Sequence, residues 1–316
     1  MNRSSELERV ALLAARFGRR APGALVGIGD DAAVLDPVSS PLVWTIDAQV
    51  EGTHFRLDWL SWRDVGWRSF MAAASDLAAM GASPVAALSA LVLSEHVDDP
   101  ALDALAEGQA EAAGVVGAPV VGGNLARGSE TSITTTVLGC ADRAILRSGA
   151  RAGEGLYLAG AVGMAAAGLA ALERGAGGSS ADIDACIEAW RRPRALIAEG
   201  RAMRGTATAG VDVSDGLSRD ASHLAEASGV TLVLDEAMLR GRASGALERA
   251  ATALGRDVLD LVLGGGEDYA LLVTSPSPIN GFDRIGSVES GAPGIVLAKV
   301  DGTRVPVDPR GFDHFK

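Results

Sequence analysis

The chain has 316 residues, 48% of them apolar, and a formal charge of −12 at neutral pH. That length and apolar content describe a globular protein of one or two domains and exclude a disordered one. The negative balance excludes non-specific binding to nucleic acid or an anionic membrane, so a phosphate-bearing ligand would need cations or arginine to offset the protein's own carboxylates.

In chain order, Ser5 and Glu8 form a capping-box pattern, and Leu7, Val10, Ala14 and Phe17 then share one helical face that ends at Gly18. Val26–Asp36 reads V-G-I-G-D-D-A-A-V-L-D, a glycine turn carrying Asp30 and Asp31. Leu42–Ile46 predicts a strand delivering Asp47 at its end, and V-E-G-T-H-F places His54 in a loop. Ser61 caps a helix expected over Arg63–Met80, with Gly81 as its stop and Asp76 in its last turn. A carboxylate there opposes the helix dipole, which hints at a nearby cation, although a solvated carboxylate reads equally well. Strands are expected at Val85–Leu93, at Pro119–Val121 stopping at Gly122-Gly123-Asn124, and at the β-branched Thr131–Cys140, with a surface helix at Asp99–Val115. The Arg/Gly/Ala-rich segment Ala141–Gly155 marks a domain boundary, giving domains 1–145 and 146–316.

The second half predicts strands at Leu156–Ala159, Val211–Val213, Thr231–Leu234, Tyr269–Thr274 and Ile285–Val288. Its helices are expected at Met164–Arg174, from Pro193 to Arg204, at Ser218–Ser228 and at Ala243–Leu254. Gly175–Ser180 and Gly264–Asp268 read as loops. Strands and helices alternate in both halves, so the fold class is α/β or α+β with two domains.

The candidate chemistry lies in recurring acidic and glycine-rich turns, expected to converge on one multi-metal phosphate site. Asp30, Asp47, Asp76, Asp212 and Asp215 are hard oxygen donors of the kind magnesium takes, and phosphoryl transfer asks mainly for positioning and charge neutralisation. Taken singly, each is equally an ordinary turn or capping aspartate. Asp212 and Asp215, with Ser214 between them, stand out because the helix that follows offers its N-terminus to a phosphate. Arg127 and Arg147 read either as phosphate contacts or as solvated charge. His54, Glu267 and Phe312 read either as ligand contacts or as loop, turn and packing residues. No G-x-x-x-x-G-K-[ST] run occurs, which excludes a P-loop lysine. Cys140 and Cys186 give neither zinc spacing nor a disulfide framework. The opening M-N-R-S-S-E-L-E-R-V has no signal-like apolar core and no apolar run is of bilayer length, so the expectation is a soluble, cytoplasmic protein.

Together the motifs G-I-G-D-D-A-A-V, D-x-x-V-E-G-x-H-F, S-D-L-A-A-M-G-A, G-G-x-x-x-R-G, R-S-G-A-R-A-G, D-V-S-D-G-L, G-G-E-D-Y and G-F-D-H-F resemble the thiamine-monophosphate kinase family, in the aminoimidazole ribonucleotide synthetase superfamily. The resemblance implies an N-terminal α/β domain that binds ATP and magnesium and pairs its sheet with a second subunit, and a C-terminal α+β domain that completes the active site. It implies ATP-dependent phosphorylation of thiamine monophosphate to thiamine diphosphate by a homodimer using several magnesium ions. By motif, Asp30, Thr45, Asp47, Asp76, Asn124, Asp212 and Asp215 would hold metal. Gly123, Arg147 and Ser214 would hold ATP, and His54, Glu267 and Phe312 would contact the thiamine substrate; no catalytic residue is implied beyond the metal ligands. Arg127 lies in the glycine-rich motif without an assigned role. Three positions depart from the family pattern: Asn124 where it has Asp, Ile46 where it has a hydroxyl residue, and Ala73 where it usually has Asn. Selenophosphate synthetases and the hydrogenase-maturation relatives use terminal cysteine features, whereas the cysteines here are Cys140 and Cys186. A relative with another phosphate acceptor, and a nucleotide- or thiamine-phosphate-binding protein with reduced turnover, remain as alternatives.

Overall fold

The structure is a computed structural model and describes residues 5–18 and 22–311. The chain divides into two compact units, one running to Leu77 and continuing over Ala82–Asp142, the other comprising Ala78–Gly81 and everything from Arg143 onward.

In the first unit, helix α1 (Glu6–Phe17) opens with the expected capping box, Ser5 and Glu8 satisfying each other's backbone N–H. A small hairpin, β1 (Ala24–Val26) with β2 (Val34–Leu35), frames the Asp30 turn. The main sheet contains β3 (Leu42–Val50), β4 (Ser83–Leu93), β5 (Val120–Arg127) and β6 (Ser132–Cys140), in the order β3-β6-β4-β5. Helices α2 (Trp62–Ala79) and α3 (Asp99–Val116) belong to the same unit, and a box between Ser61 and Asp64 starts α2. A buried polar network ties helices to sheet. Gln109 of α3 accepts from the Ser89 hydroxyl at 3.0 Å and donates to the hydroxyls of Ser69 (3.2 Å) and Thr135 (3.4 Å). Buried polar groups need such partners, so this network fixes which sheet face the helices cover. On β3 the covered row includes Val43, Thr45, Asp47 and Gln49; Leu42, Trp44, Ile46 and Ala48 lie on the other face.

The second unit is built on a seven-stranded sheet. Its strands are β7 (Gly155–Ala159), β8 (Ala209–Val213), β9 (Thr231–Asp235), β10 (Ala270–Ser275), β11 (Asp283–Glu289), β12 (Gly294–Ala298) and β13 (Arg304–Pro306), in the order β13-β12-β9-β11-β7-β10-β8. Only the β9–β12 pair is parallel. Leu156, Leu158 and Leu272 pack on one side with α5 (Ala181–Arg191), α7 (Leu217–Ser228) and α9 (Gly245–Ala253). Tyr157, Leu271 and Val273 pack on the other with Met203 and Phe282. Burial on both faces explains why L-Y-L-A and A-L-L-V read as unbroken apolar runs. Helices α4 (Met164–Glu173), α6 (Ile197–Ala202), α8 (Glu236–Arg242) and α10 (Val258–Gly264) complete the unit.

Several boundaries differ from expectation for identifiable reasons. Asp47 is not at a strand end: β3 continues to Val50 because the whole segment pairs in register with β6. Gly122-Gly123-Asn124 is not a turn but lies inside β5, paired with Leu88-Ser89-Ala90. The helix expected over Ala243–Leu254 is α9, capped by the Ser244 side chain, and the short α8 before it, capped by Asp235, is a further helix that the expectation does not include. Helices α5 and α10 and strands β12 and β13 are short elements that the sequence reading passes over. Among the described residues, no helix is long and apolar enough to cross a membrane.

Candidate active site

In the first unit, Asp30 sits exposed at the tip of the β1–β2 hairpin, where its carboxylate accepts the Asp31 N–H at 2.9 Å. Gly29 beside it has φ +121° with open space around it, so glycine is required there by backbone conformation. Thr45 and Asp47 lie two residues apart on the covered face of β3, and the Thr45 hydroxyl donates to the Asp76 carboxylate on α2. That contact answers in part for a carboxylate in the last turn of a helix. Val50 donates its backbone N–H to His54 Nδ1 at 3.1 Å, so a neutral His54 ring carries its proton on Nε2 and presents a donor there.

Asn124 is not brought to this group. Strand β5 is at the opposite edge of the sheet from β3, three strand spacings or roughly 14 Å away. Its row, Asn124–Ala90–Thr134–Ala48, alternates with the row Gly123–Ser89–Thr135–Asp47, so the two point to different faces. Ile46 shares the outer face with Asn124 and is 69% exposed. The missing hydroxyl at Ile46 therefore does not touch the Thr45–Asp76 pair, and Ala73, fully buried in α2, faces the packed interior. Gly123 is needed for close approach, because a Cβ there would come within 1.8 Å of the Ser89 carbonyl oxygen.

In the second unit, Asp212 on β8 stands opposite Leu271 of β10 and is buried. Ser214 and Asp215 follow in the turn into α7, and Asp215 pairs with Arg219 at 3.5 Å. Part of the turn before this helix N-terminus, where a phosphate is expected, is already taken. Asp220, one turn inside α7, reaches back to accept the N–H groups of Asp215 and Gly216, both at 3.0 Å. Burial pushes its carboxyl up to about 6 despite those bonds. An internal carboxylate thus already occupies the anion position at those two N–H groups.

The G-G-E-D-Y loop closes over the same strand end. Glu267 and Tyr269 donate their backbone N–H groups to the carbonyls of Ser214 (2.7 Å) and Val213 (2.8 Å). Between them, Asp268 accepts the N–H groups of Gly163 at 2.6 Å and Ala165 at 2.9 Å, at the start of α4. Desolvation pushes the Asp268 carboxyl up to about 7. Arg147 is exposed in a loop fastened by Ser228, whose hydroxyl donates to the Arg147 carbonyl and accepts from Gly149 and Ala150. Arg127, also exposed, ends β5 beside a cleft that Glu6, Arg9 and Ser94 help to line. Phe312 lies outside the described residues.

Among the described residues no three acidic, histidine or cysteine side chains gather into a metal cluster. The donors are all oxygens, the set a hard cation takes; magnesium keeps waters and shares substrate phosphates rather than needing a closed protein cage. Asp220 and Asp268 went unassigned in the sequence; their one signal was position, an aspartate four residues into α7 and one between Glu267 and Tyr269.

The sequence matches the AIR synthase related protein N-terminal domain over residues 29–141 and the corresponding C-terminal domain over residues 151–276. It is 40% identical to the thiamine-monophosphate kinase of Mycobacterium tuberculosis (strain H37Rv) over 90% of this chain and 85% of that one. The chain belongs to the thiamine-monophosphate kinase family. Among solved members, the Stenotrophomonas maltophilia enzyme superposes with a TM-score of 0.82 at 32% identity, covering 94% of this chain and 97% of that one. A structure described as AaThiL complexed with AMPPCP and TMP gives 0.81 at 31% identity, covering 98% and 97%. Both family domains are therefore present, and the two-domain fold is that of the thiamine-monophosphate kinases.

Proposed function

We propose that this chain transfers the γ-phosphate of ATP to thiamine monophosphate, yielding thiamine diphosphate and ADP. The observation that carries this reading is 40% identity, over nearly the whole length, to a thiamine-monophosphate kinase. The match to the structure complexed with AMPPCP and TMP supports the same pair of substrates.

Magnesium is the proposed metal. Asp30, Thr45, Asp47, Asp76 and Asn124 of the first unit and Asp212 and Asp215 of the second would hold it through oxygen donors. When bound, magnesium would neutralise phosphate charge in a chain that itself carries −12. The chain's own groups do the positioning. The Thr45 hydroxyl orients Asp76, and Asp220 fixes the turn that carries Ser214 and Asp215. Gly123, Ser214 and Arg147 are proposed ATP contacts, the guanidinium suiting a phosphate. His54 through its Nε2 donor, Glu267 through a carboxylate suited to the cationic thiazolium, and Phe312 are proposed thiamine contacts.

The proposed homodimer would use the first sheet. Leu42, Trp44, Ile46 and Leu88 are exposed large apolar residues on its uncovered face, a patch of the kind a protein partner covers. Asp47 and Asn124 lie at opposite edges, so they can serve one metal only if β5 of a second copy approaches β3 of the first. Cytoplasmic residence fits the free Cys140 and Cys186.

The test is product formation with thiamine monophosphate, thiamine and other phosphate monoesters as acceptors. Thiamine diphosphate and ADP in equal amounts, from thiamine monophosphate alone, is the expected result; transfer to a different acceptor would replace the reading. Sedimentation equilibrium should give a dimer mass, and a monomer mass would overturn the shared-site arrangement.

A further inference from the structure

Glu267 (φ +69°) and Tyr269 (φ +51°) are, among the described residues, the two non-glycine positions with positive φ. L-residues avoid this conformation, and two strained positions so close together persist only where surrounding contacts over-determine them. Two of those contacts are the N–H bonds from Glu267 and Tyr269 to the end of β8. The residue between them supplies the other two. The Asp268 carboxylate takes the N–H groups of Gly163 and Ala165, 105 and 103 residues away in sequence, at the start of α4. That helix has Gly163 as its N-cap, in the left-handed conformation and with no side-chain cap of its own, so Asp268 supplies the missing acceptor from a distant loop. The backbone of Glu267 is thereby held from both sides, by Ser214 through its own N–H and by α4 through its neighbour's side chain.

We propose that Asp268 is a positioning residue for the phosphate acceptor: by clamping the G-G-E-D-Y loop to the N-terminus of α4 it fixes the direction in which the Glu267 carboxylate meets the thiamine substrate. The inference rests on the reading of Glu267 as a substrate contact. Asp268 touches no substrate. Its effect therefore falls on the acceptor, and any effect beyond what Glu267 transmits belongs to folding alone. An asparagine at 268 keeps the size and one acceptor oxygen but turns an N–H donor toward a second donor, so one of the two clamp bonds is lost.

The experiment compares Glu267→Gln, Asp268→Asn and the double variant with the unmodified protein in steady-state kinetics and thermal melts. Asp268→Asn should raise KM for thiamine monophosphate about tenfold, while kcat stays within about threefold and KM for ATP is unchanged. The double variant should match Glu267→Gln alone, because both act through one carboxylate. Should Asp268→Asn fail to accumulate, Asp268→Ser leaves a small hydroxyl acceptor and gives the same comparison. An unchanged KM for thiamine monophosphate in the Asp268 variant, with Glu267→Gln impaired, would overturn the positioning role. Multiplying effects in the double variant, or equal losses for both substrates, would reduce Asp268 to a helix cap. If Glu267→Gln itself leaves KM unaltered, the assignment of Glu267 as a substrate contact fails, and the positioning role falls with it.

Discussion

The two acidic turns, Gly29-Asp30-Asp31 and Asp212–Gly216, look alike in sequence and are built differently. The first is exposed at a hairpin tip, with a local bond from the Asp31 N–H to the Asp30 carboxylate. The second joins a fully buried strand to a helix, with Asp212 buried and two turn N–H groups held by Asp220. The buried turn is held by side-chain bonds from within its own helix, whereas the exposed one rests on the hairpin backbone that frames it. Stability and activity should therefore separate at the first turn and move together at the second.

The largest effect is expected at Asp212. Asp212→Asn should lower kcat/KM about a hundredfold to a thousandfold, read at saturating magnesium, since it removes one carboxylate oxygen from a buried proposed ligand. An enzyme retaining most of its rate would remove the second turn from the site. Next, Asp220→Ala leaves the buried N–H groups of Asp215 and Gly216 without their acceptor and should destabilise the protein by about 2–3 kcal/mol, measured by denaturant unfolding. Unchanged stability would mean the turn is not prebuilt. At the exposed turn, Asp30→Asn should leave unfolding within about 0.5 kcal/mol while raising the magnesium needed for half-maximal rate several-fold. A large stability loss there would erase the distinction between the turns.

A further effect concerns pH. The folded Asp268 carboxyl sits near 7, above its ordinary value of 3.8. A raised folded pKa means the folded protein binds more protons than the unfolded one between those values, so this contribution to stability is full below about pH 4 and is lost as pH rises through 7. The melting temperature of the unmodified protein minus that of Asp268→Asn should fall across that window and level off above it. A difference independent of pH would mean the carboxyl is not desolvated.

Much of this was legible in the sequence, and the misses share a physical cause. The Ser5–Glu8 box, the Ser61 helix start and the buried strands of the second unit carry local signals, and the structure reproduces them. Local preference puts Asp47 at a strand end and Asn124 in a glycine turn, but strand pairing to β6 and β4 overrides that preference. Their separation to opposite edges of one sheet follows from strand order, which the identities of nearby residues do not encode. Asp220 and Asp268 serve backbone N–H groups, one across four or five residues and the other across more than a hundred, a role without a motif. The open face with Trp44 and Ile46 was visible as a strand, while its exposure depended on where α2 and α3 settled.

The central claim is transfer of the terminal phosphate of ATP to thiamine monophosphate, and the most direct measurement follows that phosphate. Purified protein would be given ATP labelled in its γ-phosphate together with thiamine monophosphate, across a magnesium titration, beside Asp212→Asn. The account predicts label in thiamine diphosphate, one equivalent per ADP formed, dependent on magnesium and nearly abolished in the variant. Label released only as inorganic phosphate, or none transferred at any magnesium concentration, would contradict it.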